Sequence, residues 1–488
     1  MLERTERSER AAPRSQVVWG LCLFAVVGII LWALDMSWGA GLALIVVVGV
    51  LAIWQFPYAG FFAALASAPL LGLMISIPVS SLRIGERALG GSIDVSAGEI
   101  VAAFVLLAWA LRVFFFGLAS RERVSRLWLP LGGTYALLVA AQVLSVVSPA
   151  FPDPWVVMKY ALRPVLFVYL VGVVLTVNFV RSRRRLKQAL FVWGSVGGLC
   201  AVDGWMSLFF LGGDASGVYR AHPLTWFSRV PLGGNHHALA ELLIPAAACL
   251  LALAALTHAR AFRRCLQVAA GFLTLITLLT FARAAWFVLA LELVALWATV
   301  WRGWFHRSRR MLWSLFVLFT PLFIYMAVFS ASAMVKSSTD ARSLLTGIAV
   351  HLWQDSPWIG VGAGTFAERV SHIWAFAIEY GAPQDAHGMI QKVGAETGLV
   401  GLAALLGVVL ALIGWLRHFW NKIREPEARQ AYTFLLIGLL GSATYQLFSS
   451  SFWTARLWVP VGLALAAGRV LSHRANARDP DFLTSGHV

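Results

Sequence analysis

The chain has 488 residues, 59% of them hydrophobic and 13% charged, with a mean hydropathy of +0.76. That balance excludes a soluble globule of this size. The net charge of +16 does not indicate a nucleic-acid binder, because most Lys and Arg fall in short connectors between apolar runs and not on one face.

Residues 1–16 read as a cytoplasmic tail: they are mixed in charge and lack the small-residue cleavage site of a signal peptide. Apolar runs of spanning length follow at 17–34, 37–56, 58–78, 98–118, 127–148, 156–180, 188–212, 236–257, 266–282, 284–301 and 311–330. A long polar stretch, 331–395, separates these from three more runs at 396–416, 431–449 and 453–471, and residues 472–488 form a second cytoplasmic tail. The expected fold is an all-α polytopic integral membrane protein with about 12–14 transmembrane helices and one large outer loop of short helices. The expected divisions are a transmembrane bundle over 17–330, the helical loop over 331–395 and C-terminal transmembrane helices over 396–471. Trp and Phe are abundant, at 22 and 31, as interfacial anchoring requires. Cys22, Cys200, Cys249 and Cys265 lie in or beside apolar runs without metal-ligand spacing and read as free, packed thiols.

With the N-terminus inside, alternate threading brings every strongly basic connector to the cytoplasmic side: 121–126, 181–187, 258–264, 302–310 and 417–429. The 331–395 loop is then external. Within it, Ser338-Thr339-Asp340 reads as a helix start, and Asp355-Ser-Pro as its end. The glycine turn IGVGAG comes next, then one helix over TFAERVSHIWAFAIEY. His387 opens a further helix, with Asp385 as its cap.

Ionisable residues within apolar runs are costly and mark either function or a buried pair. Lys159, Arg163, Asp203, Glu241 and Arg283 fall in the outer half of the membrane or at its edge, with Arg220, Arg229, Arg342 and His387 just above. Arg clustered at one depth suits a phosphorylated ligand, since guanidinium is permanently charged and matches phosphate oxygens with a planar fork. Snorkelling side chains, or structural pairs such as Arg283 with Glu241, are the competing explanation. Glu292, in mid-span, reads as structurally paired, and His351 and His372 as surface or packing groups. The segment RVPLGGNHHALAELLIP (229–245) places Asn235, His236 and His237 at a helix start, whose dipole and free amides favour an anion. Adjacent histidines on a helix face different directions, so no metal site is expected there. The GVGAG at 360–364 lacks the preceding strand of a nucleotide-binding loop.

Four motifs over roughly 190–470 resemble the O-antigen ligase and polymerase superfamily of bacterial membrane glycosyltransferases. They are Gly234-Asn235-His236-His237-Ala238 at a span edge, Thr280-Phe-Ala-Arg283-Ala-Ala-Trp between two spans, Arg342 ahead of SPWIGVGAGTF, and His387 followed by ten residues and then Gly398-Leu-Val-Gly401. One position departs from the pattern: ligases commonly carry Asn, Ser or Gln after the catalytic His, and here it is Gly388, with Gln391 one turn on as the nearest polar helper.

The resemblance implies a multi-pass protein of the bacterial inner membrane whose site and 331–395 loop face the periplasm. It implies transfer of a glycan from undecaprenyl pyrophosphate to an acceptor hydroxyl. His387 would be the base, with Arg283 and Arg342 as the leaving-group cations. Arg220, Arg229, Asn235, His236, Arg163 and Gln391 would bind substrate. No cofactor or metal is expected, the chemistry is inverting, and the partners are the lipid-linked donor, the acceptor and membrane lipids, not nucleic acid. Three functions stay open: a ligase acting on lipid A–core, a polymerase of O-antigen or exopolysaccharide repeat units, and a transporter or flippase of lipid-linked glycan. For His387, a structural role at a helix start is the alternative to catalysis.

Overall fold

The computed structural model describes residues 48–78, 83–84, 87–88, 92–117, 127–148, 164–210, 219–226, 230–233, 235–301, 320, 324, 328, 333–380, 384–449 and 451–472. The expected span over 17–34, nearly all of that over 311–330, Cys22, Lys159, Arg163 and Arg229 lie outside these residues. The chain divides into two compact units, residues 1–64 with 100–126 and residues 65–99 with 127–488.

The smaller unit holds α1 (Val48–Gln55) and most of α2 (Pro57–Ser67), which are bent by 115° where Pro57 cannot continue the amide ladder. The expected span over 58–78 is therefore not one helix. After Ser67 the chain turns, and β1 (Met74–Pro78) pairs antiparallel with β4 (Ser92–Ser96), with β2 (Arg83–Ile84) against β3 (Arg87–Ala88) between them. SIDVS alternates polar and apolar residues, the period of a strand, and the Ile75-Ser76-Ile77 part of MISIP matches it, with Ile75 opposite Val95 and Ile77 opposite Ile93. Helix α3 (Ala97–Gly117) starts from a reciprocal capping box: the Ser96 amide donates to Glu99 Oε2 at 2.8 Å and the Glu99 amide to Ser96 Oγ at 3.2 Å.

The four strands belong to the larger unit, and the rest of that unit is a helical bundle. It holds α4 (Gly132–Leu144), a π-helical stretch (Pro164–Leu175) running into α5 (Thr176–Phe179), α6 (Arg183–Phe210), α7 (His236–Ala255), α8 (Arg260–Leu279) and α9 (Arg283–Leu296). Next come α10 (Ala333–Asp355), α11 (Phe366–Ser371), α12 (Trp374–Tyr380), α13 (Met389–Lys422), α14 (Pro426–Tyr445) and α15 (Ala455–Ser472). Among the described residues six helices, α6, α7, α8, α9 with its π-helical continuation to Val300, α13 and α15, are long and apolar enough to cross a membrane, with the bent α1–α2 pair as a seventh if it is one span. The protein is an all-α, multi-pass membrane protein; the short strands belong to one connector.

Helix α7 is the centre of the bundle, buried almost throughout. Its alanines let neighbours approach closely: a Cβ added at Gly197 of α6 or Gly438 of α14 would collide with Ala246 or Ala248. At one end of the bundle the basic connectors meet. Arg183 forms a two-pronged pair with Glu425, and His258 lies 4.0 Å from Glu427. Segments 181–187, 258–264 and 417–429 thus share a face, as alternate threading requires. Cys200 and Cys249 are buried free thiols; Cys265, contrary to expectation, is exposed.

Candidate functional site

The opposite end of the bundle gathers the starts of α7, α9 and α13. Helices α8 and α9 meet in a tight hairpin at Thr280-Phe281-Ala282, where Phe281 takes a positive φ of 53°. Thr280 is fully buried; its hydroxyl donates to the Thr277 carbonyl and accepts from the Ala282 amide. The Trp286 indole donates across the hairpin to the Leu278 carbonyl at 3.0 Å. These contacts explain the spacing of the Thr280-to-Trp286 motif: they present Arg283 as the first residue of α9. The Ala221 amide donates to the Leu279 carbonyl at 2.8 Å, so the hairpin also carries the neighbouring Arg220.

The start of α7 is capped by Asn235, whose Oδ1 accepts from the His237 amide at 2.9 Å. The side chain expected to bind substrate thus has a capping task, worth about 0.5–2 kcal/mol. Among the described residues Arg283 does not pair with Glu241; it donates to Thr339 Oγ1 of α10 at 3.0 Å. Glu241 takes Arg456 instead, at 3.1 Å, and accepts from Gln446 at 2.6 Å and Ser451 at 2.7 Å. Arg456 reaches on to the Leu232 carbonyl at 3.0 Å, and the Gln446 carbonyl accepts from the Met389 amide at 2.9 Å. This buried strut ties the loop before His236 to the backbone that follows His387. Removing one partner of such a pair costs about 3–5 kcal/mol. Sequence reading missed Arg456; its signal was an arginine inside the apolar run FWTARLWVP.

Helix α10 begins by Ala333, before the expected start at Ser338, so the Ser-Thr-Asp triplet lies inside it. The expected helix over TFAERVSHIWAFAIEY is two, α11 and α12, broken at His372-Ile373. Leu345, Ile348, Phe366, Val370, Phe376, Ala386 and Ala395 make a small core of their own beneath this cap. His351 and His372 are exposed. Asp385 does not cap α13: Gly388 holds the N-cap position, and Asp385 pairs with the buried Lys392.

The final motif is a hydrogen-bond exchange across a break in α13. Gly398 has φ 63° and ψ −158°, which separates a short helix starting at Met389 from the long span beyond. The loop 357–362 fills the gap. The Leu399 and Val400 amides donate to the Pro357 and Trp358 carbonyls at 2.8 and 3.1 Å. The Ala395 and Glu396 carbonyls accept from the Val361 and Gly362 amides at 2.9 and 3.0 Å. No backbone group freed by the break at these positions is left unpaired. A Cβ at Gly398 would lie 2.5 Å from the Trp358 carbonyl, and one at Gly360 would strike the Glu396–Thr397 peptide.

His387 is carried just ahead of this short helix, half-buried, with Nε2 donating to Gln384 Oε1 at 3.3 Å. That assignment leaves Nδ1 unprotonated, and no partner for Nδ1 occurs among the described residues. Burial, then the charge of Arg342, hold this imidazole below its ordinary 6.5, while Asp385 pulls it upward. Gly388 is crowded: a Cβ there would sit 2.6 Å from Gln391 Oε1 and 2.8 Å from the Leu447 carbonyl. Gln391 occupies the space that a polar side chain at 388 would use, and its amide donates to Thr346 Oγ1 of α10 at 3.0 Å.

Arg342, on α10, points Nη2 at His237 Nε2, 3.4 Å away, while its buried Nε has no hydrogen-bond partner. Burial and the like charge of Arg283 both lower its affinity for a proton. The charges of Arg342, Arg220, His387 and Arg283 all act on the His237 ring, against which His236 lies with ring centroids 4.1 Å apart. The structure thus brings together Arg220, His236, Arg283, Arg342 and His387, with Gln391 one step behind and Asn235 at the rim. Arg163 and Arg229 are outside the described residues. Sequence reading quoted His237 without assigning it, and missed Tyr445, whose hydroxyl lies 3.1 Å from His237 Nδ1. Among the described residues no pairing for Glu292 is found: its buried Oε1 has no hydrogen-bond partner there and packs at Gly441. Among the described residues there is no group of three or more His, Cys, Asp or Glu placed to hold a metal.

Residues 268–406 match the family model described as O-Antigen ligase. The match covers less than a third of the chain and contains Arg283, Arg342, His387, Gly398 and Gly401; it supports the O-antigen ligase and polymerase superfamily and a membrane enzyme of that type. No curated protein matches the chain. A solved chain from a peptidoglycan synthase complex that coordinates polymerization and crosslinking aligns with a TM-score of 0.37 and 15% identity, covering 70% of this chain and 98% of that chain.

Proposed function

Starting from the O-antigen ligase match over residues 268–406, we propose that this protein is a membrane glycosyltransferase acting on a glycan linked to undecaprenyl pyrophosphate, at the periplasmic face of the inner membrane. The donor carries its own leaving group, so no nucleotide is needed. The observation that carries the reading is Arg342, a half-buried guanidinium with an unpartnered Nε beside a second arginine and an imidazole whose Nδ1 is open.

In this reading the acceptor hydroxyl attacks the anomeric carbon and gives its proton to His387 Nδ1. The bond from that carbon to the pyrophosphate oxygen breaks in line, inverting the centre. Arg342 and Arg283, with Arg220 nearby and Arg229 as a further candidate, hold the charge that grows on the leaving phosphate. Arg163 is a further candidate contact for the donor lipid phosphate, and Asn235 and His236 are proposed to bind the donor beside Arg342. Gln391 supplies the polar support that Gly388 cannot. Fixed guanidinium charge replaces a divalent ion, so the transfer proceeds without metal.

Attachment to lipid A–core is the leading reaction; polymerisation of repeat units shares donor, base and cations, and the departure at Gly388 keeps it as the second reading. The test is reconstitution with a lipid-linked glycan and two rival acceptors, core lipid and a second lipid-linked repeat. Product on core lipid supports a ligase, and lengthened lipid-linked chains support a polymerase. His387→Ala is expected to abolish either product while donor binding persists; full transfer by that variant would dismiss His387 as the base. Activity lost to chelator and restored by a divalent ion would overturn the metal-free scheme. Movement of the lipid across the bilayer without any bond made would point to a transporter.

A further inference from the structure

We infer that His237 is a positioning residue: a neutral imidazole, locked in one tautomer by Tyr445, that aims the Arg342 guanidinium at the donor pyrophosphate without consuming its charge. The inference rests on the reading of Arg342 given above.

The tautomer follows from the donors and acceptors. A guanidinium offers only N–H groups, so Arg342 Nη2 at 3.4 Å from His237 Nε2 requires a lone pair on that nitrogen. The ring proton then sits on Nδ1 and is donated to Tyr445 Oη at 3.1 Å. The Tyr445 hydroxyl in turn donates to the carbonyl of His237 itself at 3.3 Å. The ring closes, and each donor in it meets one acceptor. The flipped tautomer would set N–H against N–H at Arg342 and leave the Tyr445 hydroxyl as the only group able to donate to Nδ1, at the expense of the His237 carbonyl.

Both supports are rigid. The His237 amide is held by Asn235, and one turn on, Glu241 is anchored to Arg456. Gln446, next to Tyr445, binds the same Glu241.

The choice of residue matters electrostatically. A carboxylate at 237 would orient Arg342 as well but would neutralise it, and a neutralised guanidinium attracts a pyrophosphate poorly. The carboxylate one turn below, Glu241, is already taken by Arg456. A neutral acceptor fixes one edge of the fork and leaves the full positive charge, with the unpartnered Nε, for the anion.

The test measures KM for the lipid-linked donor and kcat separately in the full-length protein, alongside thermal stability in detergent. His237→Leu should raise donor KM about tenfold, the worth of one charged hydrogen bond, with a smaller change in kcat. His237→Gln, which retains a neutral acceptor, should recover most of that loss. His237→Glu should be worse than Leu, because it cancels the charge. Tyr445→Phe should give an intermediate rise. His237→Leu combined with Arg342→Ala should be no worse than Arg342→Ala by itself. An unaltered donor KM in His237→Leu, no rescue by Gln, or additive losses in the double variant would each overturn the inference. If His237→Leu fails to fold, the Gln, Glu and Tyr445→Phe variants decide. An unchanged donor KM in Arg342→Ala would instead sink the proposed donor site, whatever His237 does.

Discussion

His387 stands between opposing charges, and the balance sets where its chemistry fails. Burial and Arg342 disfavour the imidazolium; Asp385 favours it, and the first two prevail. The proposed base must be neutral to accept a proton, so a lowered pKa extends activity toward acid. The acid limb of kcat/KM is expected below pH 6.5, the ordinary value of the ring. Asp385→Asn removes the charge that opposes the shift and leaves Lys392 with Glu396 alone, 3.9 Å away, so the limb should move lower still; an unmoved or raised limb would show that Asp385 does not act on His387. At this scale the sequence revealed what each side chain is but not what holds it. Arg283 and Glu241 looked like partners by depth, yet Arg456, 215 positions from Glu241 in the chain, reaches the carboxylate first. Pairing across that separation has no local signature. His237 was hidden by its neighbour, since two adjacent histidines suggest metal before they suggest a strut.

The elements were legible where hydropathy is continuous and illegible where the backbone breaks. Helices α6 to α9 follow from uninterrupted apolar runs with basic ends. The run at 58–78 is equally apolar, but Pro57, Pro69 and the alternation of MISIP turn it into a bent helix and a strand. The glycine pair at 398 and 401 was visible as a motif and silent about its purpose, because a break mended by a distant loop leaves no trace in periodicity. Its role predicts a stability effect. Gly398→Ala must hold a side chain at φ 63° against the Trp358 carbonyl, costing about 1–3 kcal/mol in backbone strain before the collision is counted. Thermal unfolding in detergent should fall accordingly, whereas Gly407→Ala, in open space further along α13, should leave it nearly unchanged. Equal melting of the two variants would contradict the exchange across the break.

At the scale of the whole molecule, the basic connectors 181–187, 258–264 and 417–429 meet at one end of the bundle and the arginine–histidine cluster lies at the other. Single cysteines placed at the exposed Glu379 and Glu427, with Cys22, Cys200, Cys249 and Cys265 replaced by Ser, are expected to react with an impermeant thiol reagent from opposite sides of the membrane. Glu379 should label in intact cells with a permeable outer envelope, and Glu427 only after the inner membrane is opened. Labelling of both from one side would refute the threading. The charge bias of the connectors made this arrangement readable in sequence, whereas the fit of the cap onto α13 was not, because it is made by main-chain groups. That last fact bears on how such a protein can diverge. Amides and carbonyls are the same whatever residue carries them, so the exterior of the cap is free to be rewritten, under the proposed function for new saccharides, while the His387 imidazole keeps its place, provided positions 360 and 398 stay glycine.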